Sequence, residues 1–186
     1  AIVEPKPVST PVRPRPVIYA GGESEAAKTM IARHCDAYVM HGDEPEHIAA
    51  KIADMKARRE AFGLPPMKFG MAGFAIVRDS QAEAERELER ITTIPGLAEG
   101  KPPSGFANFD QWLAGTELER ELKIREYSVS NRGLRPGFVG TPETVRARIE
   151  AFEAVGLDLV LLQMSPQEEE MDRFAAQVIQ PTRPAG

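Results

Sequence analysis

Short apolar runs, each followed by an amphipathic helical segment, restrict the fold of this chain more than any other feature. Each run is long enough for one buried strand, and the segment behind it repeats apolar residues at helical spacing. The predicted strands cover residues 17–20, 37–40, 67–77 and 159–164. Strands that alternate with helices in this way form a parallel sheet, so we predict an α/β fold. A doubly wound sheet and an eight-stranded barrel both satisfy the pattern, and both place ligands at the carboxyl ends of the strands.

A long irregular segment, residues 95–138, interrupts the third strand–helix unit. Excursions of this kind in compact domains are lids, binding loops or disordered segments, and we predict a mobile loop here. Residues 1–16 are predicted to be a proline-rich connector, residues 17–180 the folded domain and residues 181–186 a tail. Because the chain starts without Met in a proline-rich stretch, we expect it to be part of a longer protein.

Composition argues against several classes of protein. The formal net charge is −5, and the basic residues are interleaved with acidic ones, which argues against a nucleic-acid surface. No apolar run approaches the roughly 18 residues of a membrane span, and the N-terminus lacks the apolar core of a signal peptide. The single cysteine, Cys35, is predicted to be a small core residue, which fits the reducing cytoplasm where we expect the protein. No residue spacing predicts a metal site.

The turn between the first predicted strand and its helix is a candidate binding site. Gly21 and Gly22 allow backbone angles closed to other residues, and without side chains they let a ligand approach the main chain. Glu23 or Ser24 is the predicted N-cap of a helix whose first N–H groups have no partner within the helix. Those N–H groups and the helix dipole favour an anion such as phosphate. A second interpretation stays open, in which the two glycines only make a tight turn.

Several short motifs occur in order along the chain, at residues 19–27, 36–38, 41–42, 69–70, 76–79 and 139–142. In sequence and spacing they resemble the alkanesulfonate monooxygenase branch of the bacterial luciferase-like flavin-dependent monooxygenases. The resemblance is to the C-terminal half of that family and covers nearly the whole chain. Within the branch, residues 127–135 and 162–167 look most like the dimethylsulfone monooxygenases.

The resemblance implies a TIM (β/α)8 barrel of which this chain would form the last four βα units, with the long segment as an insertion in the third. It also implies reduced FMN as cofactor, a separate NAD(P)H-dependent flavin reductase that supplies it, and molecular oxygen. By the same resemblance, Gly21, Gly22, Glu23 and Ser24 would bind the FMN phosphate, chiefly through main-chain N–H groups. Ser24 could add a hydroxyl donor, whereas the carboxylate of Glu23 must point away from the phosphate.

The chain departs from the sulfonate branch at positions that bear on the substrate. Where that branch carries an Arg, a His and a Trp, this chain has Ala72, Phe74 and His41. The loss of two cationic or hydrogen-bonding groups at Ala72 and Phe74 suits a neutral sulfone better than an anionic sulfonate, because a buried cation without its anion is costly. His41 follows the second strand on the ligand side and could donate a hydrogen bond to the substrate. Alternatively, His41 only ends the strand.

Asn131, Arg132 and Arg135 lie in the long segment, near the position of the family's mobile-loop arginine, and Arg132 is the preferred match. The resemblance implies a loop that closes over flavin and substrate and excludes water, and an arginine there would stabilise an anion. We therefore predict His41, Asn131 and Arg132 as the catalytic residues. For Arg132, a solvated loop charge is the alternative.

Together these features predict a two-component monooxygenase that converts a small organosulfur compound, dimethylsulfone by preference, to methanesulfinate and formaldehyde. An alkanesulfonate or other luciferase-like monooxygenase is the first alternative, and a deazaflavin-dependent oxidoreductase is the second. A hypothesis of a different class is a non-catalytic half-barrel that only self-associates. Four βα units leave two open sheet edges and an uncovered interior, so we expect a homo-oligomer and an inactive fragment when the chain is alone.

Overall fold

The computed structural model describes residues 15–92 and 133–182, and strands alternate with helices throughout these ranges. The strands are β1 (Tyr19–Ala20), β2 (Ala37–Met40), β3 (Lys68–Phe74), β4 (Ile76–Val77), β5 (Val139–Gly140) and β6 (Leu159–Gln163). The helices are α1 (Glu25–His34), α2 (Pro45–Ala61), α3 (Gln81–Thr92), α4 (Pro142–Ala154) and α5 (Gln167–Phe174), and a π-helical turn (Ala175–Ile179) and a 3-10 turn (Gln180–Thr182) extend α5. Most of the predicted connector, insertion and tail lie outside the described residues, which exclude 1–14, 93–132 and 183–186. None of the described helices is long and apolar enough to cross a membrane.

Four of the strands form one parallel sheet in the order β1-β2-β3-β6. The register places Tyr38 of β2 opposite Phe69 of β3, and Met71 of β3 opposite Val160 of β6. Within the described residues, β1 and β6 each pair with one neighbour, so these two strands form the edges of the sheet. The parallel α/β architecture predicted from the strand–helix alternation is therefore present.

The third predicted strand is not continuous. It is divided at Ala75 into β3 and β4, because the chain changes its hydrogen-bonding partner there. The N–H of Ala75 donates to the carbonyl of Gln163 at 3.0 Å, whereas the N–H of Ile76 donates to the carbonyl of Phe138 at 2.9 Å. β4 then pairs in parallel with β5. The prediction of one strand over residues 67–77 is thus wrong at Ala75.

Gly73 makes room for the segment that leads into β5. A Cβ built on Gly73 would lie 2.9 Å from the ring of Phe138, which is fully buried and makes an edge-to-face contact with Phe152. A Cβ on Gly70, earlier in β3, would meet its neighbours at an ordinary 3.5 Å. Of the two glycines inside this strand, Gly73 is therefore the one that another element approaches closely.

The register gives the sheet a face covered by helices and a face that is open. The covered face packs into the main core, which includes Ile31, Tyr38, Met40, Ile48, Met55, Phe69, Met71, Val145 and Phe152. Cys35 belongs to the same core and is 4% exposed, which confirms the predicted role of its side chain. The side chains of the opposite face, here called the open face, belong to Tyr19, Val39, Ala72, Leu159 and Leu161. Tyr19 is 54% exposed and Leu161 48%, so this apolar surface is not covered by the described residues.

Side-chain caps begin two of the helices as predicted. The hydroxyl of Ser24 accepts a hydrogen bond from the N–H of Ala27 in α1, and the hydroxyl of Thr141 accepts one from the N–H of Thr144 in α4. Pro142 occupies the first turn of α4, where its missing N–H costs nothing. These caps fix where α1 and α4 begin behind β1 and β5.

Asp36, just before β2, ties the starts of β1 and β2 together. Its carboxylate accepts a hydrogen bond from the N–H of Ile18 at 2.8 Å and pairs with the guanidinium of Arg15. The Arg15 hydrogen bond, followed by that from Ile18, lowers the pKa of Asp36 from 3.8 to about 2. Because the folded-state pKa is depressed, the ionised carboxylate stabilises the fold above about pH 4, and this contribution is lost as the pH falls through about 2.

An Asp36→Asn substitution tests this contribution. We expect the variant to unfold at a lower urea concentration than the wild type at pH 7, because the amide cannot form the ion pair with Arg15. The difference should shrink as the pH falls from 4 towards 2, where the wild-type carboxylate also loses its charge. Urea unfolding at several pH values measures it, and a difference that stays constant across this range would contradict the assignment.

Candidate functional site

The glycine turn, residues 21–24, joins the end of β1 to α1 and is closely packed. A Cβ built on Gly21 would lie 2.9 Å from the carbonyl oxygen of Val39, and one built on Gly22 would lie 2.7 Å from the Cβ of Ala27. Neither glycine has a positive φ. The turn therefore does not use the backbone angles that only glycine allows. Glycine is required here for space, because β2 and α1 approach the turn on both sides.

The first turn of α1 presents main-chain donors next to these glycines. Ser24 is the N-cap, and its Oγ accepts from the N–H of Ala27 at 3.2 Å. The N–H groups of Glu25 and Ala26 have no acceptor among the described residues. Since Oγ of Ser24 serves as an acceptor, its hydroxyl hydrogen is still available for donation. The turn thus offers two main-chain donors and one hydroxyl donor at the positive end of a helix dipole, which is the arrangement that binds anions.

Tyr38 supports the turn from β2, and the sequence analysis did not identify this role. Its phenol donates a hydrogen bond to the carbonyl oxygen of Gly22 at 3.1 Å, and its side chain is 1% exposed. Burial, together with the negative charges of Glu23 and Asp54, raises the pKa of Tyr38 to about 12, so the phenol keeps its proton at neutral pH. The signal in the sequence was a tyrosine in a buried strand, since a buried phenol requires a hydrogen-bond partner.

Charged side chains surround the turn on the side of α2. The ammonium of Lys51 lies 3.0 Å from the carboxylate of Glu23 and 3.7 Å from that of Asp43. Asp43 follows β2, is 5% exposed, and also contacts Nδ1 of His47 at 3.0 Å and the guanidinium of Arg135 at 3.6 Å. We call these five residues the Asp43 cluster. It connects the ends of β1 and β2 with α2 and with the segment that precedes β5.

The Asp43 carboxylate stays ionised within this cluster. Burial by itself would raise the pKa of Asp43, but the hydrogen bonds from His47 and from the N–H of Glu44, with the charge of Lys51, outweigh it and lower the pKa below its ordinary value. A buried carboxylate is stable in this state only if cations compensate it. Asp43 therefore acts as a fixed negative charge that holds Lys51 and Arg135 near the glycine turn.

The structure brings together some of the predicted site residues. Gly21, Gly22, Glu23 and Ser24 form the glycine turn, and His41 lies directly after β2 and is partly buried. Asn131 and Arg132 are outside the described residues. Gly133, which follows them, accepts a hydrogen bond through its carbonyl from the N–H of Phe74 at 2.7 Å, at the carboxyl end of β3.

The two positions that distinguish the chain from the sulfonate branch lie at this same end of β3. Ala72 is partly buried on the open face, and Phe74 is 7% exposed. Phe74 packs into a second apolar cluster with Ile76, Ala84 and Leu134. Neither position carries a charge or a hydrogen-bonding side chain.

The described residues form a parallel α/β sheet with a closely packed glycine turn after β1, at the edge where ligands bind in such folds. The chain belongs to the luciferase-like monooxygenase family, because the family's model matches residues 1–159. The family predicted from the short motifs is therefore confirmed.

Two curated relatives carry the name FMNH(2)-dependent dimethylsulfone monooxygenase. The protein from Pseudomonas putida is 31% identical over 182 residues, which covers 95% of this chain and 48% of the relative. The protein from Pseudomonas fluorescens (strain Pf0-1) is 30% identical over 186 residues, with the same coverage of 95% and 48%. The chain thus spans about half the length of the curated relatives it matches.

Solved structures show the fold. DmoA from Hyphomicrobium sulfonivorans has a TM-score of 0.68 at 19% identity, and the match covers 89% of this chain and 41% of that chain. The long-chain alkane monooxygenase LadA has a TM-score of 0.65 at 21% identity and covers 89% of this chain and 40% of that chain. The fold described above is therefore that of part of a luciferase-like barrel.

Proposed function

We propose that the protein containing this chain is a reduced-FMN-dependent monooxygenase and that the glycine turn binds the FMN phosphate. The observation that carries the proposal is the pair of main-chain N–H groups, on Glu25 and Ala26, that have no acceptor among the described residues and lie beside two closely packed glycines. In a parallel α/β fold this turn lies at the edge of the sheet where ligands bind. Family membership and the names of the two curated relatives support the same cofactor.

The residues of the turn fit a phosphate group. The donors of Ser24, Glu25 and Ala26 match the acceptor oxygens of a phosphate, and the helix dipole favours its charge. The one carboxylate in the turn, that of Glu23, is hydrogen-bonded to Lys51 on α2. Its charge is therefore compensated by Lys51.

Reduced FMN, delivered by a separate NAD(P)H-dependent reductase, would supply the activation of molecular oxygen when bound. The part of this chain is to hold and orient the flavin and to shape the substrate site. We propose that β1, β2, β3 and β6 are the last four strands of an eight-stranded barrel. In that barrel the open face would line the interior, and the ends of β2 and β3 would face the flavin and the substrate.

Dimethylsulfone is the substrate that we propose. Ala72 and Phe74 give the carboxyl end of β3 an apolar character, which suits a neutral sulfone, because an anionic sulfonate requires a cation or donor to replace its hydration. Oxidation of dimethylsulfone with cleavage of one C–S bond would give methanesulfinate and formaldehyde. His41, Asn131 and Arg132 remain our candidates for contacts with the substrate and the flavin, and alkanesulfonates are the alternative substrates.

A non-catalytic role for the chain on its own is the second candidate. The open face exposes Tyr19, Leu159 and Leu161, and within the described residues each edge strand pairs with only one neighbouring strand. Such a surface favours association with a second copy or with another half of a barrel. The isolated chain would then bind no flavin although it is folded.

Anaerobic titration of reduced FMN into the full-length protein and into residues 1–186 tests both candidates. Formaldehyde release is then measured with oxygen, a flavin reductase and either dimethylsulfone or methanesulfonate. We expect the full-length protein to bind flavin and to release formaldehyde from dimethylsulfone, while the isolated chain does neither. A full-length protein without flavin affinity would overturn the proposed cofactor, whereas flavin binding with release from methanesulfonate alone would overturn the substrate.

A further inference from the structure

Lys51 reaches from α2 to the glycine turn and is the cation shared by two acids there. Its Nζ donates a hydrogen bond to the Glu23 carboxylate at 3.0 Å and lies 3.7 Å from that of Asp43. The side chains of Lys51 and Glu23 are each 24% exposed, so the pair is partly shielded from solvent. Lys51 and Glu23 are 28 positions apart in sequence, and their contact joins α2 to the glycine turn.

The carboxylate of Glu23 lies where it would oppose anion binding at the turn, and its ion pair with Lys51 prevents this. Glu23 immediately precedes the N-cap Ser24, and a carboxylate near a helix N-terminus is attracted to the free N–H groups of the first turn. If the Glu23 side chain turned to the N–H groups of Glu25 and Ala26, it would occupy the donors that a phosphate needs. An uncompensated carboxylate at this place would also repel the phosphate.

We propose that Lys51 is a positioning residue that gives the glycine turn its preference for phosphate. It holds the Glu23 carboxylate towards α2, away from the first turn of α1, and cancels its charge. The inference rests on the proposed function, since it assumes that the turn binds the phosphate of FMN. Lys51 acts on the turn through Glu23, from a different helix than the one that the turn begins.

The other charges of the Asp43 cluster strengthen the need for Lys51. Glu23 and Asp43 are acidic, Lys51 and Arg135 are basic, and His47 contacts Asp43 from the helix surface. With Lys51 present, two carboxylates face two cations. Without Lys51, Glu23 loses its hydrogen bond. The carboxylates of Glu23 and Asp43 then face one permanent cation of the cluster, Arg135, next to the dianionic phosphate of FMN.

Lys28 provides a matched control. It lies on α1, its side chain is also 24% exposed, and its Nζ is 3.2 Å from Asp54 on α2, so it forms another ion pair between the same two helices. Its second partner, Glu25, keeps an ion pair with Arg58 at 2.7 Å when Lys28 is replaced. A Lys28→Gln variant therefore loses a comparable contact without releasing Glu23.

The test compares the dissociation constants of FMN and riboflavin for the intact protein, because riboflavin differs from FMN by lacking the phosphate. We expect Lys51→Gln to raise the Kd of FMN by about tenfold, roughly the effect of one charge-assisted hydrogen bond, and to leave the Kd of riboflavin within about twofold. Lys28→Gln should change neither value, and Lys51→Arg should retain most of the FMN affinity.

The double variant Lys51→Gln/Glu23→Gln separates positioning from a general structural role. If Glu23 blocks the donors once it is released, removal of its charge should restore FMN affinity to within about threefold of the wild type, since neutral amides compete weakly for the N–H groups. Equal losses for FMN and riboflavin, no loss for either, or no restoration in the double variant would each overturn the role of Lys51. A wild-type protein that binds FMN no more tightly than riboflavin would instead overturn the phosphate site itself.

Discussion

Replacement of Arg78 by methionine is expected to lower the free energy of unfolding by about 3 kcal/mol, because it leaves a buried carboxylate without its main partner. Arg78 follows β4 and donates hydrogen bonds at 2.7 Å to both the carboxylate of Glu170 and the carbonyl of Val77. The side chain of Glu170 is 7% exposed, and Arg173 lies farther from it at 3.8 Å. Arg78 therefore joins β4 to α5 through a contact hidden from water.

Urea unfolding measures the change in the free energy of unfolding, and two further variants serve as controls. Arg78→Met/Glu170→Met removes both charges, so it should recover most of the lost stability, since two apolar side chains can replace a buried ion pair at little cost. Arg90→Met removes the pair between Glu87 and Arg90, whose side chain is 63% exposed, so it should cost about 0.5 kcal/mol at most. Equal destabilisation by Arg78→Met and Arg90→Met would contradict the assignment.

The largest expected loss of cofactor affinity comes from Gly22→Ala. The added Cβ would meet the Cβ of Ala27 at 2.7 Å, which is too short for any carbon–carbon contact, and neither atom belongs to a flexible side chain. The first turn of α1 must therefore move away from β1, and its N–H groups no longer converge with the turn. We expect the Kd of FMN to rise by about 100-fold, since the loss of two charge-assisted hydrogen bonds costs roughly 3 kcal/mol.

A compensating variant distinguishes this steric effect from other consequences of the substitution. Gly22→Ala/Ala27→Gly removes the atom that the new Cβ would meet, so it should restore most of the FMN affinity, at a stability cost of about 1 kcal/mol for glycine in a helix. Fluorescence titration measures both variants. If the single variant binds FMN like the wild type, the closely packed turn is not part of the flavin site.

The strand–helix alternation was predictable because the signals for it are local. Apolar runs followed by helical spacing indicated the elements, and the caps at Ser24 and Thr141 start α1 and α4 as expected. Each of these signals depends on residues within a few positions of one another. The position of the glycine turn after β1 was predictable for the same reason.

Which groups contact one another was not predictable from the sequence, because it depends on the tertiary structure. The strand break at Ala75 arises because the N–H of Ala75 donates to Gln163 and that of Ile76 donates to Phe138, and both acceptors come from distant parts of the chain. The reason why the glycine turn requires glycine was also not predictable, because it is the packing of β2 and α1 around the turn.

Sequence alone was enough to predict the alternation of strands and helices, the family and the place of the proposed anion site, since these depend on periodicity, caps and short motifs. The side chains that support this site could be identified only from the fold. Tyr38 reaches Gly22, and Lys51 reaches Glu23, from elements that are far along the chain but adjacent in the parallel arrangement. Contacts of this kind depend on which helices and strands become neighbours, and no local pattern of residues specifies that.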